Sequence, residues 1–201
     1  MHPPRPPESK PAEPNAPSVE ADFQAAPEEM VAEILDGELY LSPRPARPHT
    51  NVSSRLGMML GPPFMFGRGG PGGWVILDEP EMHFGPRPDK LVPDLAGWRR
   101  ERMPDAIGGD MAPAHYDLVP DWACEVLSES TRSRDKGQKM RIYAREGVRH
   151  LWHVDPLART LDIFRLTEGQ WLQVHSFSGE ARVRAEPFEA LELELALVWS
   201  R

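Results

Sequence analysis

Glu125 is an acidic residue in an otherwise apolar stretch. The residues from about Trp122 to Leu127 predict a buried strand, because the others are all apolar or small. An ionised carboxylate there is costly to desolvate unless it is paired or binds a metal. We therefore predict that Glu125 helps to hold a divalent cation together with a second carboxylate. A structural ion pair with a nearby arginine is the alternative.

Asp94 is the second carboxylate of this kind. The sequence K-L-V-P-D-L-A-G-W, residues 90–98, predicts another apolar strand that carries one acid. Aspartate is disfavoured in strands and costly to bury, so two such acids call for one explanation. Carboxylate oxygens are hard ligands that suit Mg²⁺ or Mn²⁺. We expect the two carboxylates to lie close enough to share one ion, with an ion pair again the alternative for Asp94.

A basic segment follows the strand of Glu125. Residues 132–149 contain seven lysine and arginine residues against Asp135 and Glu146, and they predict a helix. Lys139 lies about one turn into it, with a stem long enough to return toward the strand ends. Two metal-binding acids and a lysine can hydrolyse a phosphodiester, because the metal activates water and the lysine neutralises developing charge. Lys136 is the substitute candidate, and Lys139 could simply be a solvated lysine of the helix.

The basic helix could also contact a nucleic acid. Its first turns supply three candidates for the phosphate backbone of DNA, namely Arg132, Arg134 and Lys136. The whole chain is acidic, with a net charge of -8, and much of the excess lies in residues 1–35. This balance argues against strong non-specific binding but allows a local basic site. A merely solvated basic face is the alternative.

Length and composition limit the class of protein. The 201 residues suit one domain, and the single cysteine, Cys124, excludes an internal disulfide and suggests a buried thiol. No apolar run is long enough to span a membrane and the first residues lack a signal-peptide core, so we expect a soluble cytoplasmic protein. The seven histidines show no spacing typical of metal ligands.

The remaining patterns predict the elements around these residues. Residues 1 to about 25 predict a disordered or extended Pro-rich tail, and residues 26–201 a single domain. A short helix is expected from Pro27, followed by an Asp36-Gly37 turn and a strand over 38–41. A second helix is expected over about 49–60. The Gly-rich run 67–73 lacks the residues of a phosphate loop and predicts a surface connection.

The second half of the chain predicts a strand, a helix and further strands. Gly147 is a natural C-terminal cap for the basic helix, and a strand is expected over 150–154. The alternating segments 160–166 and 170–177 predict an antiparallel hairpin around Glu168-Gly169. These elements favour an α/β fold with a mixed, twisted central sheet flanked by helices and an added C-terminal hairpin.

The sequence resembles the PD-(D/E)xK nuclease superfamily, and within it the Uma-two-like group of bacterial restriction endonucleases. The resemblance covers about residues 28–195. It rests on A-E-I-L-D-G-E-L, on V-P-D-L at 92–95, and on the long block from Glu125 to Pro156. It implies a restriction-endonuclease-like core and Mg²⁺- or Mn²⁺-dependent cleavage of DNA. A homodimer is plausible, since cutting both strands with one site per chain favours two chains.

The resemblance also implies roles for individual residues. Asp94 matches the family's P-D aspartate, Glu125 its central-strand acid, and Lys139 a lysine moved to the following helix. Glu33 matches a glutamate on the first helix that adds a metal contact, and an acid at the start of a helix is the alternative for it. His49 matches a family histidine whose role is left open. A catalytically silent nuclease fold, serving as a binding or assembly module, is the competing hypothesis, favoured by the acidic net charge and the displaced lysine.

Overall fold

The computed structural model describes residues 18–85, 89–103 and 114–200. The α-helices in these ranges are α1 (Val19–Gln24), α2 (Arg47–Leu60), α3 (Arg132–Arg134), α4 (Met140–Glu146) and α5 (Leu195–Trp199). The strands are β1 (Met30–Leu35), β2 (Glu38–Pro43), β3 (Trp74–Asp78), β4 (Met82–Phe84), β5 (Asp89–Leu91), β6 (Leu95–Arg99), β7 (Trp122–Val126), β8 (His150–Asp155), β9 (Thr160–Thr167), β10 (Gln170–Ser178), β11 (Arg182–Val183) and β12 (Leu193–Glu194). The predicted α/β class is confirmed.

Two sheets form the framework. The larger has six strands in the order β10-β9-β8-β7-β6-β3 and is mixed, because β7 and β8 are parallel while the other neighbours are antiparallel. The smaller has four antiparallel strands in the order β2-β1-β5-β4. Strands β9 and β10 form the predicted C-terminal hairpin. The pairing of β6 with β7 brings the segment of Asp94 beside the strand of Glu125.

The N-terminal elements differ from the prediction. A strand, β1, replaces the helix expected from Pro27, and it pairs with β2 through the Asp36-Gly37 turn. Both turn residues have positive φ, 51° and 85°, as a two-residue hairpin of this kind requires. The apolar spacing of residues 30–35 fits a helix or a strand equally well, and pairing with β2 and β5 decides it. Glu33 therefore lies on a strand and not on a helix.

The expected N-terminal tail is helical at its end. Helix α1 begins at Val19, where the hydroxyl of Ser18 accepts the amide of Ala21 at 3.2 Å. The prediction of a disordered tail through residue 25 is therefore wrong for this part. Residues 1–17 lie outside the described residues, and the single domain over 26–201 stays a prediction.

The basic segment forms three consecutive helical pieces, a π-helix between two α-helices. Helix α3 passes into a π-helix over Asp135–Lys139 and then into α4. Gly147 ends the run in the left-handed conformation at φ 86°, which confirms the predicted cap. Helix α2 also confirms its prediction and continues into a π-helical turn over Gly61–Met65. No helix in the described ranges is both long and apolar enough to cross a bilayer.

Both faces of the larger sheet are covered. On one face Cys124 and Trp152 pack with side chains of α2 and α5, and Cys124 is the predicted buried thiol. The opposite face packs against α4 and the smaller sheet, with Tyr143 fully buried there. Because side chains alternate along a strand, Glu125 lies on this second face, under the basic helical run. The candidate site is therefore enclosed between the sheets.

Candidate functional site

Five ionisable side chains from four parts of the chain meet in one buried cluster. Glu33 comes from β1, Asp94 from the turn before β6, Glu125 from β7, and Asp135 and Lys139 from the π-helix. All are at most 8% exposed, and all line one small cavity. The residues predicted as catalytic or metal-binding are thus brought together, and we call them the acidic cluster.

Asp94 lies just outside the strand in which it was predicted. Strand β5 ends at Leu91 and β6 begins at Leu95, so Asp94 occupies the turn between them. Its Oδ2 accepts the backbone amide of Val126 at 2.6 Å. Its Oδ1 contacts Nε2 of His49, which lies in the first turn of α2. The carboxylate is thereby held in a fixed position at the end of β7.

Glu125 is held from the helical side. Its Oε1 lies 2.8 Å from Nζ of Lys139 and accepts the phenol hydroxyl of Tyr143 at 2.6 Å. Lys139 and Tyr143 are four residues apart, so both project toward β7 from one face of the helical run. Tyr143 is fully buried, and its hydroxyl touches the site.

Lys139 reaches the strand ends as predicted. Its Nζ bridges Glu125 and Glu33, with 3.0 Å to Oε1 of Glu33, and lies 3.7 Å from Oδ1 of Asp135. The π-helix that ends at Lys139 changes the number of residues per turn just where this side chain must turn inward. Glu33 is further held by the amide of Val92, at 3.0 Å from its Oε1.

The cluster holds more negative than positive groups. Burial raises the pKa of Glu125 well above its usual value, against the effect of Lys139, and the neighbouring carboxylates raise it further. Burial alone would lower the pKa of Lys139, but Glu125 and Glu33 outweigh it and the pKa is raised. Burial likewise raises the pKa of Asp135. Among the described lining residues, Lys139 is the only lysine or arginine facing these carboxylates.

The donor set of the cluster suits a hard cation. Tyr143 and Lys139 both contact Oε1 of Glu125, and Val92 and Lys139 both contact Oε1 of Glu33. The Oε2 atom of each glutamate therefore has no hydrogen bond to the described residues. However, within the described ranges no three carboxylates of the cluster bring oxygens within 4.8 Å of one another. Lys139 Nζ occupies the space between Glu33 and Glu125. Because Glu33 is engaged by Lys139, Asp94 and Glu125 are left as the candidate pair of metal ligands.

The cavity at the cluster is small. Its volume is about 50 Å³, room for one or two particles the size of a water, which occupies about 30 Å³ in the liquid. A larger open depression adjoins it and shares His49 and Thr131 as lining residues. Arg44 and the turn 128–131 form its outer wall. The depression is therefore a candidate route by which a large substrate could approach the carboxylates.

The three predicted backbone-binding residues are not equivalent. Arg132 forms an ion pair with Asp155 at 2.6 Å, and that bond holds the pKa of Asp155 below its usual value despite partial burial. Arg134 donates to the hydroxyl of Ser42 at 2.6 Å and lies over the ring of Tyr40. Lys136 is exposed and forms no ion pair with any residue of the described ranges. Of the three residues, only Lys136 therefore has no ion pair or side-chain hydrogen bond to the described residues.

Three side chains at the site were not assigned to it from the sequence. The sequence analysis gave neither Asp135 nor Tyr143 a place in the site, and it left the role of His49 open. The four-residue spacing from Lys139 to Asp135 on one side and to Tyr143 on the other was the available signal. Nearby, burial and two lysines lower the pKa of His153 to about 3, so this ring is neutral and adds no positive charge.

Comparison with known proteins agrees with this geometry. The Uma2 family model, described as "Putative restriction endonuclease", matches residues 20–197. A crystal structure described as a putative nuclease belonging to DUF820 from Anabaena variabilis superposes with a TM-score of 0.71 at 19% identity, covering 90% of this chain and 97% of that one. This likeness concerns the fold. None of the curated proteins compared with the chain matches it. Given the extent of the match to its model, the chain belongs to the Uma2 family.

Proposed function

We propose that the protein is a divalent-cation-dependent nuclease that hydrolyses phosphodiester bonds in DNA. The observation that carries the proposal is the acidic cluster, in which four buried carboxylates line one small cavity. The single ammonium group there, that of Lys139, pairs with only three of them, Glu33, Glu125 and Asp135. Buried charge of one sign is costly unless a counter-charge is supplied. A divalent cation would supply it and is the usual agent of phosphodiester hydrolysis.

Asp94 and Glu125 would hold the ion, which is Mg²⁺ or Mn²⁺ by the hardness of the ligands. Bound there, the ion would polarise the scissile phosphate and lower the pKa of a water ligand. His49 and the Val126 amide orient Asp94, and Tyr143 orients Glu125. Glu33, which the resemblance assigns to the metal, contacts Lys139 instead, and we give it the role of positioning that lysine.

Lys139 would act as a positive charge and not as a base. Its raised pKa keeps Nζ protonated at neutral pH, because Glu125 and Glu33 stabilise the ammonium. An ammonium beside the reacting phosphate stabilises the negative charge that develops in the transition state. The proton that leaves the attacking water must therefore go to a group other than Lys139.

Substrate would enter through the open depression beside the cluster. Arg44 on its wall and Lys136 on the neighbouring helical run are basic groups suited to the phosphate backbone. Cleavage of both strands of a duplex would require two sites, so a homodimer is part of the proposal. The family and the structural neighbour are both described as nucleases, which supports the reaction class.

Cleavage of supercoiled plasmid tests the reaction. We expect nicked and linear products with Mg²⁺ or Mn²⁺, none with chelator, and none with Asp94→Asn. A single-stranded oligonucleotide, assayed beside the plasmid, distinguishes substrates. Equal cleavage by wild type and Asp94→Asn would indicate a contaminant and contradict the proposal.

The competing hypothesis is a catalytically silent nuclease fold that binds or assembles. Its support from the sequence was the acidic net charge and the displaced lysine. As for the lysine, Nζ of Lys139 lies within 3.0 Å of both Glu125 and Glu33. The displacement along the chain is thus compensated in space. A protein that binds no divalent cation at the cluster would favour this hypothesis.

Replacing Tyr143 with phenylalanine is expected to reduce cleavage without unfolding the protein. The change removes the hydroxyl that donates to Glu125 but keeps the buried ring. Loss of a group that orients a metal ligand typically reduces activity or metal affinity about 10–100-fold. The measurement is kcat at saturating Mg²⁺. As a control, Tyr40→Phe removes an exposed hydroxyl that is bonded to Glu38 outside the cluster, and it should retain activity. Full activity in Tyr143→Phe would show that the hydroxyl is dispensable.

Replacing Lys136 with glutamine is expected to weaken DNA binding equally for all sequences. One lost phosphate contact should lower the slope of log affinity against log salt by about 1. Binding is measured by fluorescence anisotropy in the Glu125→Gln background, so that the DNA stays intact. Arg182→Gln is the matched control, because Arg182 lies on the remote strand β11 and pairs with Glu192 and Glu194. An unchanged slope for Lys136→Gln would place the DNA elsewhere.

A further inference from the structure

A second group of ligand-type side chains lies apart from the acidic cluster. His83 on β4 and the pair His115 and Asp117 come together although they are distant in the chain. One ligand atom from each lies within 4.8 Å of the other two, and within the described ranges no other set of three histidine, cysteine or acidic residues meets this condition. None of these residues lines the cavity of the acidic cluster.

A short backbone pairing explains how the group is built. Met82 and Tyr116 form a parallel bridge, in which the amide of His83 donates to the carbonyl of Tyr116 at 3.0 Å and the amide of Tyr116 donates to the carbonyl of Glu81 at 2.9 Å. Met82 is fully buried, and the Tyr116 ring packs on Trp98. Side chains alternate along extended chains, so the residues flanking each inward side chain point to the opposite face.

Four ligand-type side chains consequently share the outer face of this bridge. They are Glu81 and His83 on one segment and His115 and Asp117 on the other. The two imidazoles stack with centroids 3.8 Å apart, and Nε2 of His83 lies 2.7 Å from Oε1 of Glu81. Carboxylates that contact a ligating histidine orient its ring and increase its basicity as a ligand. Nε2 of His115 lies 3.7 Å from the Asp117 carboxylate.

We propose that His83, His115 and Asp117, supported by Glu81, bind a transition-metal ion of the Zn²⁺ type. The ligand atoms of a tetrahedral Zn²⁺ site, each about 2.1 Å from the ion, lie about 3.4 Å from one another. The three ligand atoms lie within 4.8 Å of one another, so binding would require the side chains to rotate and bring these atoms closer by up to about 1.4 Å. Imidazole ligands select Zn²⁺, Cu²⁺ or Ni²⁺ over Mg²⁺, so this ion is chemically distinct from the one at the acidic cluster.

The bound ion would fasten the segment 114–117 to the smaller sheet. Strand β4 is an edge strand of that sheet, and within the described residues its outer side is paired only through the bridge to Tyr116. A metal held by side chains from both segments adds a cross-link that a single bridge cannot supply. The ion would thus have a structural role at this edge, away from the proposed chemistry.

Zinc titration of the untagged protein tests the proposal. The Glu125→Gln variant is used as the starting protein, so that the acidic cluster and its function do not enter the result. We expect one Zn²⁺ per chain, bound in the presence of millimolar Mg²⁺, and a rise in Tm on binding. His115→Gln should lower the affinity by at least about 10–100-fold, the loss typical when only a supporting partner of a metal ligand is removed.

Matched variants separate this site from other histidines. His175→Gln changes an exposed histidine on β10 and should bind Zn²⁺ like the starting protein. If His115→Gln folds poorly, Asp117→Asn provides a second variant, at a surface-exposed position, that should also lose Zn²⁺ affinity. Absence of Zn²⁺ binding, equal binding in Asp117→Asn and the starting protein, or a loss in His175→Gln would each overturn the proposal.

Discussion

Lys139→Met is expected to lower both the stability and the activity of the protein by large amounts. The change removes the ammonium between Glu125 and Glu33 and leaves the buried carboxylates without a counter-charge. Breaking a buried pair from one side costs about 3–5 kcal/mol. For a chain of this size we expect Tm to fall by on the order of 10 °C.

The same variant should lose cleavage more than its stability loss explains. Removal of one group that stabilises transition-state charge typically costs about 100–1,000-fold in kcat. The measurements are Tm by circular dichroism and kcat below the unfolding range. Added Mn²⁺ should raise the Tm of Lys139→Met more than that of wild type, because the ion replaces the missing charge.

Lys136→Met provides the stability control for this experiment. Lys136 lies in the same π-helix, but its side chain is exposed and outside the cluster. Its Tm should match that of wild type. If Lys139→Met were as stable as Lys136→Met, the ammonium would not be holding the carboxylates together, and the description of the cluster would be wrong.

Glu125→Gln is expected to abolish cleavage and, without metal, to stabilise the folded protein. Glutamine keeps the shape of the side chain and can still accept from Tyr143 and Lys139, but it removes one buried negative charge. Since the pKa of Glu125 is raised, the ionised form is less stable in the fold than in the unfolded chain. Each unit of such a shift is worth about 1.4 kcal/mol at a pH where the group is ionised.

The pH dependence gives the sign of this effect. A carboxyl group with a raised pKa favours the folded state at low pH and loses that contribution as pH rises above the unfolded value of 4.5. The difference in unfolding free energy between Glu125→Gln and wild type should therefore increase from acid to neutral pH in chelator. Glu129→Gln, an exposed neighbour, should show no such trend. A variant less stable than wild type at every pH would contradict the raised pKa.

The sequence predicted which residues meet at the site better than it predicted their local structure. The desolvation of Glu125 can be judged from its apolar neighbours alone. The segment from Glu125 to Pro156 also predicted the helix, its cap at Gly147 and the contact of Lys139 with the strand ends. The helix expected from Pro27 was wrong, because a short apolar run fits the periodicity of a helix as well as that of a strand. Its strand identity depends on pairing with β2 and β5, which are set by the whole fold.

Contacts between distant segments were the least predictable part. Asp94 was expected within a strand. It lies instead in the turn between β5 and β6, where its carboxylate accepts a hydrogen bond from the Val126 amide. Likewise, the approach of His83 to His115 depends on the bridge between Met82 and Tyr116, which no spacing in the sequence indicates. The ion pair of Arg132 with Asp155 could not be predicted either, because it depends on where the end of β8 lies in the fold.

Titration of Mn²⁺, followed by the electron paramagnetic resonance signal of the free ion, tests the central claim most directly. The claim is that the acidic cluster is a divalent-cation site held by Asp94 and Glu125. We expect wild type and Glu129→Gln to bind about one Mn²⁺ per chain in competition with Mg²⁺, and Glu125→Gln to bind at least about 10-fold more weakly. No Mn²⁺ binding by wild type, or unchanged binding by Glu125→Gln, would contradict the account.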